Sequence, residues 1–187
     1  IFSVTSLQNL LNRNGLEIFR VENLVVHGGS NRIYACKLGA REIENSVTEN
    51  LSLEQEYGIQ ELATYKKFAK KVATSKDALL ELLTDMKNEG RKVVSYGATS
   101  KSTTVFNYCG IGPDLIDYIV DTTEAKQGKL SPGMHIPVVP PQSGFNDTVD
   151  VAFLGAWNYE KEILSKEENF LKGGGRFVTH IPYVRFM

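Results

Sequence analysis

From Arg91 to the C-terminus, short apolar runs alternate with segments of helical period, and this restricts the possible folds more than any other feature of the chain. Strands are expected at 92–96, 116–120, 149–154 and 176–180, and helices at 101–109 and 159–172, with a long loop between 120 and 149. The runs Ile116, Tyr118, Ile119, Val120 and Val149, Val151, Ala152, Phe153, Leu154 are nearly continuous. Strands of that kind are buried on both faces, and the helices between them supply the crossovers that parallel pairing needs. The fold class is therefore α/β: a Rossmann-like parallel sheet flanked by helices.

Upstream the pattern differs. Ser3 or Thr5 can cap a short helix carrying Leu7, Leu10 and Leu11, which Asn14-Gly15 closes. A strand is expected from Leu16 to Val26, a turn over His27-Gly28-Gly29-Ser30-Asn31-Arg32, and a return strand from Ile33 to Lys37. Such a unit cannot bury both its faces alone. Gly39 to Leu51 reads as a linker, and a long helical region follows from about Leu53 to Glu89, interrupted around Thr74-Ser75-Lys76-Asp77. The expected organisation is thus an N-terminal helix and hairpin segment, 1–51, which completes a preceding domain or packs on the core, and a Rossmann-like domain, 52–187. The lysines at 66, 67, 70 and 71 fit a solvated helix face.

With 187 residues and 42% hydrophobic content the chain can bury a sizeable core. Its formal net charge of -1 gives no overall pull toward nucleic acid or an anionic membrane, and neither is expected as a partner. Cys36 and Cys109 offer neither a disulfide framework nor metal-ligand spacing, which fits a reducing, cytoplasmic setting. Ile1-Phe2-Ser3 enters a helix at once, as in a chain cut from something longer; trimming of a complete small protein is the alternative.

The residues with most chemical promise follow the first core strand. Gly97-Ala98-Thr99-Ser100 leads into a helix opening at Lys101-Ser102-Thr103-Thr104, where free N–H groups and the helix dipole favour an anion. A lysine and five hydroxyls there suit a phosphate or pyrophosphate. The turn has neither Walker A nor G-x-G-x-x-G spacing, so it is not an ordinary dinucleotide or S-adenosylmethionine site; a capped helix without a ligand is the plain alternative. Asp121, at the end of the second strand, is placed either as a ribose-binding acid or as a loop anchor. Lys126, Lys129 and Gly133 lie on a loop too long for mere connection. Trp157 and Asn158 either line a sugar or base pocket or cap the next helix. In the upstream turn, Gly28 and Gly29 let backbone approach a ligand, and His27 is either an acid–base group or a satisfied turn histidine. His135 and His180, each before Ile-Pro, read as structural.

Taken in order, these pieces resemble the C-terminal region of bacterial C-methyltransferases that act on nucleotide-linked sugars. The resemblance rests on Phe2-Ser3, His27-Gly28-Gly29-Ser30 with Arg32, Gly97-Ala98 with Lys101, and Asn107-Tyr108-Cys109-Gly110. It continues through Asp121, Lys126-Gln127-Gly128, Pro132-Gly133 with His135-Ile136-Pro137, Trp157-Asn158-Tyr159, Gly173-Gly174 and Ile181-Pro182. Asn31 departs from it, because the family usually has an apolar residue before the arginine.

The resemblance implies a zinc-binding N-terminal domain and an S-adenosylmethionine-binding middle domain, both outside this chain, and a C-terminal domain that helps hold the nucleotide-linked sugar. It implies removal of a proton alpha to a sugar ketone, followed by attack of the carbon on the sulfonium methyl. The family base is expected just upstream of Phe2-Ser3, so this chain alone is expected to be inactive. On that reading His27 is the candidate catalytic residue, and Gly28, Gly29, Ser30 and Arg32 face the cleft. Lys101, Lys126 and Lys129 neutralise the pyrophosphate, Asn107 and Asp121 contact the nucleotide or fix the loops, and Ser100, Gly133, Trp157 and Asn158 complete the substrate-binding set; no metal is held. The competing reading is a non-catalytic Rossmann-like module for a nucleotide or a partner protein.

Overall fold

The structure is a computed structural model that describes residues 2–187 and divides into two compact units, Ile1–Lys70 and Lys71–Met187.

In the first unit, α1 (Val4–Asn12) starts at a reciprocal cap: Ser3 Oγ accepts from the Ser6 amide, and Ser6 Oγ accepts from the Ser3 amide, both at 3.0 Å. The hairpin is β1 (Leu16–Leu24) against β2 (Ser30–Lys37), antiparallel, with an irregular register between Ile18 and Arg20. A helix, α2 (Asn45–Tyr57), then packs on it through Val47, and Val4, Ile18 and Val21 complete the buried cluster. The segment expected to be a linker therefore holds the first half of a helix. It hid because only Val47 and Asn50 of α2 are buried and its start has no side-chain cap, leaving no apolar period to read.

A short break separates α2 from α3 (Leu62–Asn88), which is unbroken across 74–77. Thr74 and Ser75 are tolerated in mid-helix, and no proline or glycine stands there to stop it.

The second unit begins with the C-terminal half of α3, which buries Leu79, Leu83 and Met86 at helical spacing. Then come β3 (Val93–Tyr96), α4 (Ser100–Cys109), β4 (Ile119–Val120), β5 (Val138–Val139), α5 (Pro141–Gly144), β6 (Val151–Leu154), α6 (Glu160–Lys166), α7 (Glu168–Lys172), β7 (Arg176–Thr179) and β8 (Arg185–Phe186). Strand order is β5-β4-β3-β6-β7-β8, parallel throughout except for β8, which runs antiparallel at the edge. This is a doubly wound, Rossmann-like sheet whose order reverses between β3 and β6.

Successive strand residues point to opposite faces, so each strand feeds two cores. Val93, Ile119, Val138, Val151, Phe153 and Val178 pack with α3 and with Phe106 of α4. Val94, Val120, Ala152, Leu154 and Phe177 pack with Ile163 of α6 and Phe170 of α7. Phe106 and Phe153 are fully buried with ring centroids 5.3 Å apart, each side chain contributing about 1.5–3 kcal/mol by burial.

Three expectations for this unit differ from what forms. The long loop carries β5 and α5, the expected helix 159–172 is a 3-10 turn followed by two helices that divide at Glu167, and β8 follows Ile181-Pro182.

Candidate functional site

The α4 start is an internally closed cap. Thr99 Oγ1 accepts from the Ser102 amide at 3.0 Å, and Ser102 Oγ accepts from the Thr99 amide at 3.1 Å. Thr99 Oγ1 also donates to the Gly155 carbonyl at 3.1 Å. A side chain at Gly155 would meet Ser102 Cβ at 2.7 Å and the Gly97 carbonyl at 3.0 Å, so the β3 and β6 ends touch through glycine. Two of the hydroxyls expected to meet a phosphate are thus engaged in the fold. The amides of Ser100 and Lys101, the first two of α4, have no acceptor among the described residues. They are the groups a helix start offers to an anion.

Asp121 is the hub of the long loop. Its Oδ1 accepts from the Thr123 amide at 2.8 Å; its Oδ2 accepts from the Ala98 amide at 2.7 Å and from Lys126 Nζ at 3.2 Å. Gln127 Nε2 donates to the Asp121 carbonyl at 3.0 Å, and Lys126 Nζ donates also to the Ala98 carbonyl at 2.8 Å. Burial alone would raise the Asp121 carboxyl; the hydrogen bonds from Thr123, Ala98 and Lys126 outweigh it and hold the group below the ordinary carboxylate range. Of the two roles considered for Asp121, these contacts are those of a loop anchor.

The loop's far end is pinned to α4. Asn107 Nδ2 donates to the Pro132 carbonyl at 2.9 Å and to the Thr103 carbonyl at 2.8 Å. Ser131 Oγ, buried, accepts from the Ile136 amide at 2.9 Å. Between this loop and α4 lies a cleft of about 480 Å³, lined by Ser100 and Thr103 on the helix and by Lys126, Lys129 and Pro132 on the loop. Lys129 is exposed and makes no ion pair among the described residues, unlike Lys126, whose charge faces Asp121.

Lys101 turns the other way. Its Nζ donates to Asn158 Oδ1 at 3.1 Å and sits 5.7 Å from the Trp157 ring centroid. This trio stands beyond the carboxyl ends of β3 and β6, at the reversal of strand order where doubly wound sheets bind ligands. The residues expected to meet one pyrophosphate are therefore divided: Lys126 and Lys129 line the cleft with Ser100, whereas Lys101 joins Trp157 and Asn158 at the switch point.

In the first unit the expected turn is a 3-10 turn, Val26–Gly28, with His27 at φ 58° and Gly29 at φ 113°. His27 is exposed, and its imidazole makes no hydrogen bond among the described residues. Ser30 Oγ donates to the Val26 carbonyl at 3.2 Å. Arg32 pairs with Glu22 at 3.2 Å, and Tyr34 Oη donates to the same carboxylate oxygen at 3.0 Å. The Tyr34 bond, opposed by desolvation and reinforced by Arg20 and Arg32, lowers the Glu22 carboxyl.

Several contributors escaped the sequence. Ser131 and Thr123 shape the loop through backbone contacts and carry no motif. Tyr96 donates to Glu167 at 2.5 Å and accepts from Lys166 at 3.2 Å beside a pocket of about 140 Å³. Burial, then the Glu167 carboxylate, pushes the Tyr96 phenol up. Gly155 was the most accessible of the missed residues: a glycine directly after an apolar strand signals close backbone approach. Among the described residues no group of His, Cys, Asp and Glu side chains is placed to hold a metal ion, and no helix is long and apolar enough to cross a membrane.

The sequence profile of the C-methyltransferase C-terminal domain matches residues 25–182, most of the chain. The chain belongs to that family. The C-methyltransferase NovU of Streptomyces niveus is 37% identical over 185 residues, which cover 98% of this chain and 44% of that protein. The chain thus spans less than half the length of this C-methyltransferase relative, and both units fall within the similarity.

Proposed function

We propose that this chain is the nucleotide-sugar-binding part of an S-adenosylmethionine-dependent C-methyltransferase acting on a keto-deoxysugar. The observation that carries the reading is the cleft beside α4. Ser100, whose amide has no acceptor among the described residues, and Lys129, which makes no ion pair among them, both line it in a family member, and together they match a diphosphate, which needs donors and positive charge.

The chain's own turn does not fit the methyl donor. The Ala98 and Thr99 amides are taken by Asp121 and Ser102, and Gly97 is the only glycine between β3 and α4. On this reading the donor and its zinc-bearing neighbour belong to other parts of the full-length enzyme. The work of this chain is to bind and orient the substrate: Lys129 and Ser100 hold the diphosphate, Lys126 and Asp121 keep the loop in place, and exposed His27 is the candidate to move a proton.

Calorimetric titration of the purified chain with thymidine diphosphate, and separately with S-adenosylmethionine, tests this. Binding of the diphosphate alone is expected. Tight S-adenosylmethionine binding, or methylation of a 4-keto nucleotide-sugar by the isolated chain, overturns the division of labour. No diphosphate binding overturns the cleft's role.

A further inference from the structure

The join between α2 and α3 presents a set of side chains that the candidate site does not use. Leu53, Tyr57, Leu62, Tyr65 and Phe68 all lie in the first unit and are between 55% and 69% exposed. On α2, Glu49, Leu53 and Tyr57 stand four residues apart and form one row, with Glu56 beside it. The opposite side of that helix, with Val47 and Asn50, is the buried one. On α3, Leu62, Lys66 and Lys70 form a matching row, with Tyr65 beside it. The turn between the rows is held in place. The Gly58 amide donates to the Gln55 carbonyl at 3.0 Å, the Ile59 amide to the Glu54 carbonyl at 3.2 Å, and Tyr65 Oη to the Ile59 carbonyl.

The charges divide at the same point. Residues 42–61 hold six glutamates and no basic residue, whereas residues 62–70 hold Lys66, Lys67 and Lys70 and no acid. Glu49, Glu56, Lys66 and Lys70 are exposed and make no ion pair among the described residues. This distribution stabilises neither helix. Glu56 lies in the last turn of α2, where the helix dipole disfavours an acid, and Lys66 and Lys70 are like charges one turn apart.

We propose that the α2–α3 join is an isologous docking surface for a second copy of this chain. Along the two rows the order is acid, apolar, apolar, then apolar, base, base. A two-fold axis at the join lays the α2 row of each copy on the α3 row of the other. Tyr57 and Leu62 then meet at the centre, and Glu49 of each copy stands against Lys70 of the other. The apolar centre supplies attraction, and the charged ends set the direction, because the reverse alignment brings like charges together. An anionic membrane would attract the lysines and repel the glutamates beside them. A foreign partner would have to reproduce an order of signs that this chain already presents. The inference is independent of the nucleotide-sugar reading.

Sedimentation velocity of this chain and of the full-length enzyme, each at about 0.1 mM, tests it. Both are expected to be dimers, weaker in about 1 M salt than in about 0.1 M. The double variants Lys66→Glu/Lys70→Glu and Glu49→Lys/Glu56→Lys each give both rows one sign. Each is expected to raise the dimer dissociation constant about tenfold or more. An equimolar mixture of the two is expected to recover a heterodimer, which also shows that both fold. A monomeric wild-type chain, variants that dimerise as the wild type does, or a mixture that stays monomeric overturns the proposal. A chain that dimerises while the full-length enzyme stays monomeric also overturns it, and assigns the surface to the rest of the polypeptide.

Discussion

The Asn107 side chain fills the space in which a Gly133 side chain would sit: a Cβ there would stand 1.7 Å from Asn107 Oδ1. The contact joins α4 to the long loop, because the same amide donates to the Pro132 carbonyl. Gly133 also lies at φ 82°, where a side chain is strained in any case.

Gly133→Ala is therefore expected to destabilise the protein by about 2–3 kcal/mol, and Asn107→Ala by about 1 kcal/mol. Because the first loss is partly the collision with Asn107, the double variant should cost less than the sum. Denaturant unfolding of the three variants measures this; strict additivity would show that the loop does not depend on the pair.

Asp121→Asn is expected to lower stability at neutral pH by about 1.5–3 kcal/mol, since Ala98, Thr123 and Lys126 lose an ionised acceptor. The folded carboxyl lies below its ordinary value of 3.8, so its contribution is complete above that value and disappears as pH falls through the folded one. The wild type should lose its advantage over Asp121→Asn below about pH 4, read from thermal midpoints across pH.

Lys129→Ala is expected to weaken thymidine diphosphate binding by about 1–2 kcal/mol and to make it less sensitive to salt, with no change in unfolding midpoint. Lys126→Ala should move both binding and stability, because its ammonium bridges Asp121 and the Ala98 carbonyl. Equal behaviour of the two variants would contradict the separate roles of the lysines.

Glu54 reaches from α2 to the start of α1, where its carboxylate accepts from the Val4 amide at 2.7 Å and from the Thr5 amide at 2.8 Å. Glu54→Ala should destabilise the first unit by about 1–2 kcal/mol. Amide exchange in α1 should quicken while that in β6 is unchanged.

What could be read beforehand follows from how local each signal is. Strands β3 and β6 announce themselves because both faces are buried and their residues are almost all apolar. Strand β5 does not: Val138 and Val139 stand between Pro137 and Pro140, and they become a strand only because β4 pairs with them. At the site, Thr99 and Ser102 are three apart, so their cap is a pattern in the sequence itself. Asn107 with Gly133, and Ala98 with Asp121, meet across more than twenty residues, and no local pattern carries such contacts. The hydrogen bonds that join Asn50 to Asn23, and Asn23 to Asn31, are likewise spread over α2 and both hairpin strands, and single asparagines at those places look like ordinary surface.

The long loop has one more duty. Its Gly128 amide donates to the Val138 carbonyl at 2.9 Å, and the Val138 amide donates to the Lys129 carbonyl at 2.8 Å. These are the outward-facing groups of β5, the last strand on its side of the sheet. An open strand edge is a template on which another chain can add itself. The segment that carries Lys129 thus also guards the sheet against self-association. Variants that loosen it should precipitate on concentration as well as bind poorly, so loss of binding in such variants should be read only alongside light scattering.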